Sequence, residues 1–213
     1  RKKRIMTYVS PFGAYIQTES SSGVMASVNE TISMLQSFLE MTNAQNKLGS
    51  FADDNIGTSI YNSENAQAVL SFASKYEGKS QGEMSGIMSG AGYQFDYGAW
   101  CADFVYFVLG STMGGNLPDW YKNCSNKAYC PTIDAAGKAA GAKVGINQAQ
   151  PGDLVLFDWD GDGVADHIGI LVDRGDGQTI TTIEGNTSGA GGGSCVSTKS
   201  RNMGSVLSIL AMS

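Results

Sequence analysis

From Ser22 to about Lys47, Val24, Val28, Ile32, Leu35 and Leu39 recur at three- and four-residue spacing, opposite Ser, Asn, Gln and Glu. That stripe predicts one long amphipathic helix. The residues before it, to about 17, are broken by Pro11 and Gly13 and predict no regular element. Residues 49–64 hold turn formers without periodicity and read as a linker. The chain thus divides into an extension, 1–64, and a main domain, 65–213. In the main domain Ala66, Val69, Leu70, Ala73 and Tyr76 share the face of a second helix, from about Asn65 to Tyr76, ended by Gly78. Gly78 to Gly98 is rich in Gly and Ser and reads as a loop with at most one short helix. In Ala99 to Leu109, Cys101, Phe104, Val105 and Val108 form a buried helical stripe, which Gly110 is expected to close. A polar loop over 110–131 and a short helix over Thr132–Gly141 follow.

Beyond Pro151 the period changes from helical to extended. Asp153–Phe157 is a short apolar run between turn signals, as in a central strand. His167–Asp173 alternates, with Ile168, Ile170 and Val172 on one face and His167, Gly169 and Leu171 on the other. Thr179–Glu184 and Val206–Met212 predict a third and a fourth strand. Helices first and antiparallel strands afterwards predict the α+β class. The glycines of 189–193 form a loop rather than a phosphate cradle, because neither a helix start nor Lys-Ser/Thr follows them.

The 213 residues include 28 Gly, and only 16% are charged, with a net charge of −6. Phosphate recognition needs clustered Lys and Arg, so this balance argues against nucleic acid as a partner. No run approaches the ~18 apolar residues of a membrane-spanning helix, and no signal-peptide core is visible near the start. The chain begins Arg1-Lys2-Lys3-Arg4, a basic run of the kind that often flanks an export signal or membrane anchor lying upstream. The amphipathic helix of the extension suits packing on its own domain or on a partner helix. Its polar face has too little Lys and Arg for a membrane surface.

Four cysteines, Cys101, Cys124, Cys130 and Cys195, are too few for a disulfide scaffold, and none forms a C-x-x-C pair. Cys124 and Cys130 could close a small ring in an oxidising compartment; otherwise both are inert loop thiols without a partner base. Cys101 stands near a helix start, where unpaired N–H groups and the helix dipole lower a thiol pKa. The one histidine of the chain, His167, opens a strand. A cysteine at a helix N-terminus followed by a histidine on a strand is the arrangement of papain-type thiol hydrolases. Glu184 and Asn186 project to one face if strand alternation holds, and either could accept the second imidazole N–H.

At these residues the chain resembles a known family. Tyr97-Gly-Ala-Trp-Cys101-Ala-Asp-Phe-Val, Pro151-Gly-Asp-Leu-Val-Leu-Phe, Asp166-His167-Ile-Gly-Ile and Ile183-Glu184-Gly-Asn186-Thr are similar to the motifs of the CHAP domain (cysteine, histidine-dependent amidohydrolase/peptidase). These are papain-like peptidoglycan hydrolases related to the NlpC/P60 group. The resemblance covers roughly 65–213 and implies a papain-like α+β fold, helices packed on an antiparallel sheet. It implies Cys101 as nucleophile, His167 as general base, Glu184 as the residue orienting the ring, and Asn186 as a further active-site position. It also implies a secreted, cell-surface or phage-associated hydrolase of bacterial peptidoglycan, acting as amidase or endopeptidase. A papain-like effector acting on a protein and a non-catalytic wall-binding adapter are the rival readings. Loss of Cys101 or His167 would favour the adapter, and both are present.

Asp158-Trp-Asp160-Gly-Asp162-Gly163-Val164-Ala-Asp166 follows the spacing of an EF-hand-like calcium loop at its first three carboxylates and its glycine. The Glu at the twelfth position is missing, since Gly169 stands there. Three carboxylates at alternate positions repel one another unless a cation intervenes. The expectation is a structural Ca2+ held by Asp158, Asp160, Asp162 and the Val164 carbonyl, with Asp166 completing the shell, which braces the loop before His167 and takes no part in the chemistry.

Overall fold

In the computed structural model the chain divides into two compact units, Arg1–Asp54 and Asn55–Ser213, and the residues described are 8–9, 15–16, 56–189 and 192–212. In the first unit Tyr8–Val9 (β1) pairs antiparallel with Tyr15–Ile16 (β2), a short ladder where the residues before about 17 predicted no regular element. The long helix expected from Ser22 to Lys47 lies outside the described residues.

The second unit begins with α1, Ile56–Ser74. This helix starts inside the predicted linker, and Gly57, Ser59, Asn62 and Ser63 fall within it. Gln81–Gly90 (α2) is fixed by a capping box, in which the Ser80 side chain accepts from Glu83 N–H and the Glu83 carboxylate accepts from Ser80 N–H. Cys101–Thr112 (α3) runs through Gly110, which does not end the helix; a Cβ there would lie within 2.4 Å of the Tyr93 hydroxyl. The polar stretch after it contains a short helix, Asp119–Lys122 (α4). Cys130–Ala139 (α5) starts two residues earlier than Thr132, with Pro131 in its first turn, where a missing N–H costs nothing.

Lys143–Val144 (β3), Leu154–Phe157 (β4), His167–Asp173 (β5), Thr179–Ser188 (β6), Ser194–Asn202 (β7) and Val206–Leu210 (β8) form one antiparallel sheet in the order β3-β8-β4-β5-β6-β7. β4 is interior and buried throughout, as its unbroken apolar run requires. The α+β class read from the sequence is the class observed. Two strands of this sheet were not foreseen: the two-residue β3 and the nine-residue β7, which lies at the sheet edge and from Ser197 on alternates between half-buried and exposed positions.

Alternation along β5 divides the packing. Ile168 and Ile170 join Phe104, Val105 and Val108 of α3 in the main core, with Ile183 and Leu154. Leu171 joins Val155, Phe157, Ile180 and Ile209 in a second, smaller core. His167 shares the Leu171 side of the strand, so the histidine and the helix bearing the cysteine belong to different faces and meet where β5 begins. No helix among the described residues is long and apolar enough to cross a membrane.

Candidate active site

Cys101 is the first residue of α3, and Trp100 before it makes no side-chain hydrogen bond to the first turn. The N–H groups of that turn therefore have no capping partner, and the positive end of the helix dipole bears on the thiol. The side chain is nearly enclosed, at 3% exposure. His167 Nε2 stands 2.9 Å from Glu184 Oε2. Nδ1 is the ring nitrogen that Glu184 does not take, and the imidazole and the Cys101 thiol are close enough to shift one another's pKa.

Glu184 is fully buried and has no water to solvate its charge. It accepts from Thr182 Oγ1 at 2.6 Å and from Arg201 through Nε at 2.8 Å and Nη2 at 2.5 Å, besides its contact with His167. A two-pronged guanidinium on a buried carboxylate holds both oxygens in a fixed plane. Arg201 in turn lies over the Trp159 ring, 5.0 Å from its centroid, and donates to Thr187 Oγ1 at 3.1 Å. It comes from β7, the edge strand that periodicity did not reveal. Gly169 on β5 provides room for this arrangement, since a Cβ there would stand 2.8 Å from Glu184 Cγ.

The three ionisable groups set one another's charge. Burial alone would push Glu184 up, but the Arg201 and His167 hydrogen bonds hold it at about 2. Burial likewise favours a neutral His167, and the Glu184 carboxylate and the Cys101 sulfur, which stabilise the protonated ring, outweigh it and raise the ring to about 9. The largest influence on Cys101 is a hydrogen bond from the Cys130 thiol, which together with His167 overcomes burial and lowers the nucleophile to about 5. The Cys130 thiol moves in the opposite direction, because it keeps the proton it donates. The opposite shifts of Cys101 and His167 favour a thiolate beside an imidazolium.

Cys130 is therefore not an inert loop thiol. Its Sγ lies 3.7 Å from Cys101 Sγ. It does not pair with Cys124, whose Sγ faces the Asn126 carbonyl at 3.5 Å, and all four cysteines are free. The ring that their spacing allowed is not formed, because Cys130 is drawn into the first turn of α5 and turned towards α3.

Of the two acceptors left open for the imidazole, Glu184 takes it. Asn186 lines the same cleft but makes no hydrogen bond to the ring. The β6 register breaks between Glu184 and Thr187, and Asn186 adopts φ of +53°, so simple alternation fails there. Its Oδ1 accepts from Ser194 Oγ at 2.7 Å, and Ser194 accepts from Trp100 Nε1 at 3.0 Å, which ties this wall to the residue preceding the nucleophile. Gly185, between them, packs so closely on α3 that a Cβ would stand 2.5 Å from Phe104 Cβ and 2.8 Å from Trp100 Cζ3. The cleft, about 280 Å3, is lined by Trp159, His167, Asn186, Thr187, Ser188 and Arg201.

The acidic loop lies directly before His167. Carboxylate oxygens of Asp158, Asp160 and Asp166 come within 4.8 Å of one another, a donor set of hard oxygens suited to a divalent cation. Asp162 is not in that group; its Oδ1 accepts from Val164 N–H at 2.8 Å. Backbone donors also reach Asp158, from Gly161 at 2.7 Å and Gly163 at 2.8 Å, and Asp166, from Trp159 at 2.6 Å. Hydrogen bonds, the one from Gly163 foremost, hold the half-buried Asp158 below the usual carboxylate range.

Residues 90–186 match the CHAP domain family, and this part of the chain is a CHAP domain. No curated protein and no solved structure matched the chain in the same comparisons. The fold is thus the papain-like α+β arrangement, and CHAP domains are peptidoglycan hydrolases of the amidase or peptidase type. The match spans Cys101, His167, Glu184 and Asn186, and ends before Arg201.

Proposed function

We propose that this domain cleaves an amide bond of bacterial peptidoglycan with Cys101 as nucleophile, either the bond from N-acetylmuramic acid to L-alanine or one within the stem or cross-bridge peptide. The observation that carries this reading is the hydrogen-bonded pair His167–Glu184 beside Cys101, whose thiol is pulled down while the imidazole is pulled up, which favours a thiolate and an imidazolium. The thiolate attacks the amide carbonyl carbon, and the uncapped N–H groups of the first turn of α3 hold the developing oxyanion. His167 Nδ1 gives its proton to the departing amine, leaving a thioester on Cys101. The neutral ring then takes a proton from water, whose oxygen attacks the thioester. The acid leaves and the ion pair is restored. Glu184 keeps the ring oriented and compensates its charge throughout. Trp159, 47% exposed and stacked on Phe157, offers an aromatic surface beside the cleft against which a sugar or peptide can lie.

Action on peptidoglycan places the protein outside the cell or at its surface. Incubation with purified sacculi and mass spectrometry of the released material tests the reading. Muramic acid ends freed from L-alanine identify the amidase, and new peptide termini the endopeptidase. Intact sacculi alongside cleavage of unrelated proteins would favour the effector reading instead.

The acidic loop is proposed as a structural Ca2+ site built on Asp158, Asp160 and Asp166, with the Val164 carbonyl within the same loop and Asp162 shaping the turn. Chelation is then expected to lower the melting temperature, by linkage that reaches about 2.7 kcal/mol when free calcium is 100-fold above Kd. Asp160→Asn should raise the calcium concentration needed for half of that gain. A melting temperature indifferent to chelator, with no calorimetric signal for calcium, would leave an acidic turn held by its own backbone.

A further inference from the structure

We propose that Cys101 and Cys130 form a dithiol–disulfide redox site, in which Cys130 captures the nucleophile after a hydroperoxide has oxidised it. The proposal rests on Cys101 being the reactive thiol of the reading above. The hydrolytic cycle needs one cysteine, yet a second thiol lies 3.7 Å from the first, brought there from 29 residues away by the packing of two helix starts. Both side chains are nearly enclosed in the main core, at 3% and 5% exposure, which favours pairing with each other over a disulfide to a second protein molecule. The remaining two cysteines are engaged elsewhere: Cys124 faces the Asn126 carbonyl, and Cys195 sits in the bridge of β7 to Ser80.

A thiolate, not a thiol, attacks peroxide, and Cys101 is the sulfur of this pair that the imidazolium supports. Its lone pair takes one oxygen of the hydroperoxide and the O–O bond breaks. For hydrogen peroxide the products are the sulfenic acid of Cys101 and hydroxide, which leaves as water once protonated. The Cys130 sulfur then attacks the sulfenic sulfur; an S–S bond forms, the S–O bond breaks, and the thiol proton leaves with the hydroxyl as a second water. The two cysteines together lose two electrons and the peroxide gains them. Contraction from 3.7 Å to a bond of ~2.05 Å asks for less than 2 Å of sulfur movement. Without a resolving thiol the sulfenic acid proceeds under further peroxide to sulfinic acid, which a thiol reductant does not reverse. The disulfide stops that loss and switches hydrolysis off until the bond is reduced.

The test treats the whole protein with hydrogen peroxide to the dose at which the free Cys101 thiol is consumed. The remaining thiols are blocked, and peptides are mapped by mass spectrometry without reductant. A Cys101–Cys130 linked peptide is expected, which dithiothreitol returns to two thiols together with the initial rate on sacculi. In Cys130→Ser the same dose should leave Cys101 as sulfinic acid, with hydrolysis lost for good. Recovery of Cys101 from the wild type as sulfinic acid, or linked to Cys124 or Cys195, overturns the proposal. The linkage map is independent of hydrolysis: a linked peptide in a protein inert towards sacculi would refute the substrate and leave the redox site standing. Should Cys130→Ser fail to fold, the wild-type map decides alone.

Discussion

Cys101→Ala is expected to lower the rate of amide hydrolysis by ~10^4-fold or more, because no other group can form the thioester and removal of a nucleophile from a coupled set costs nearly the whole of its catalysis. His167→Ala should be as damaging, for it removes the one histidine of the chain and with it both the proton donor and the counter-ion of the thiolate. For Cys101→Ala the loss should not come from unfolding. Alanine is a good helix former, and exchanging one small side chain at the start of α3 is expected to change stability by about 1 kcal/mol. Rates on sacculi together with melting curves check both statements. A Cys101→Ala protein retaining a tenth of the wild-type rate would remove Cys101 from the mechanism.

Arg201→Met is expected to cost about 3 kcal/mol of stability, since it leaves the Glu184 carboxylate buried without its two-pronged partner. The hydrolytic rate should fall ~10- to 100-fold through kcat rather than KM, because the ring is oriented by a carboxylate that is itself no longer held. Arg201 is in this sense a positioning residue, acting through Glu184. Glu184→Gln should lower activity as well, since an amide still accepts from the ring but cannot balance the imidazolium. The decisive comparison is the double variant. Arg201→Met in a Glu184→Gln background should cost far less stability than Arg201→Met alone, because the unpaired buried charge is gone. Additive losses would mean that Arg201 stabilises the sheet edge for reasons unrelated to Glu184.

The readable parts of this protein were those in which one face is buried and the other is not. Cys101, Phe104, Val105 and Val108 marked α3, and the apolar run 154–157 marked the central strand, because burial dictates residue type along both. Residues 194–202 showed no such signal: polar side chains recur along most of the edge strand they form, and the Arg201 they carry reads in isolation as an ordinary surface charge. The capping box at Ser80 and Glu83 was written in the sequence and would have defined α2. Glu184 was legible as an imidazole partner by strand alternation, whereas Asn186 was misplaced by the same rule, because a local break in register sets its backbone at positive φ. Cys130 could not have been placed beside Cys101 from spacing, since their contact depends on how two helix starts converge. Chemistry that lies along one element is visible in sequence, and chemistry made by convergence of elements is not.

The pH dependence of Cys101 alkylation by iodoacetamide, read peptide by peptide against Cys124 and Cys195, bears most directly on the thiolate–imidazolium pair. A thiol whose pKa is lowered is deprotonated above that lowered value. Carboxamidomethylation of Cys101 should therefore be half-maximal near a pH of about 5 and already fast at neutrality. A Cys101 that remains inert at neutrality and gains reactivity only around pH ~8.5, as an unperturbed thiol does, would contradict the ion pair on which the proposed hydrolysis depends.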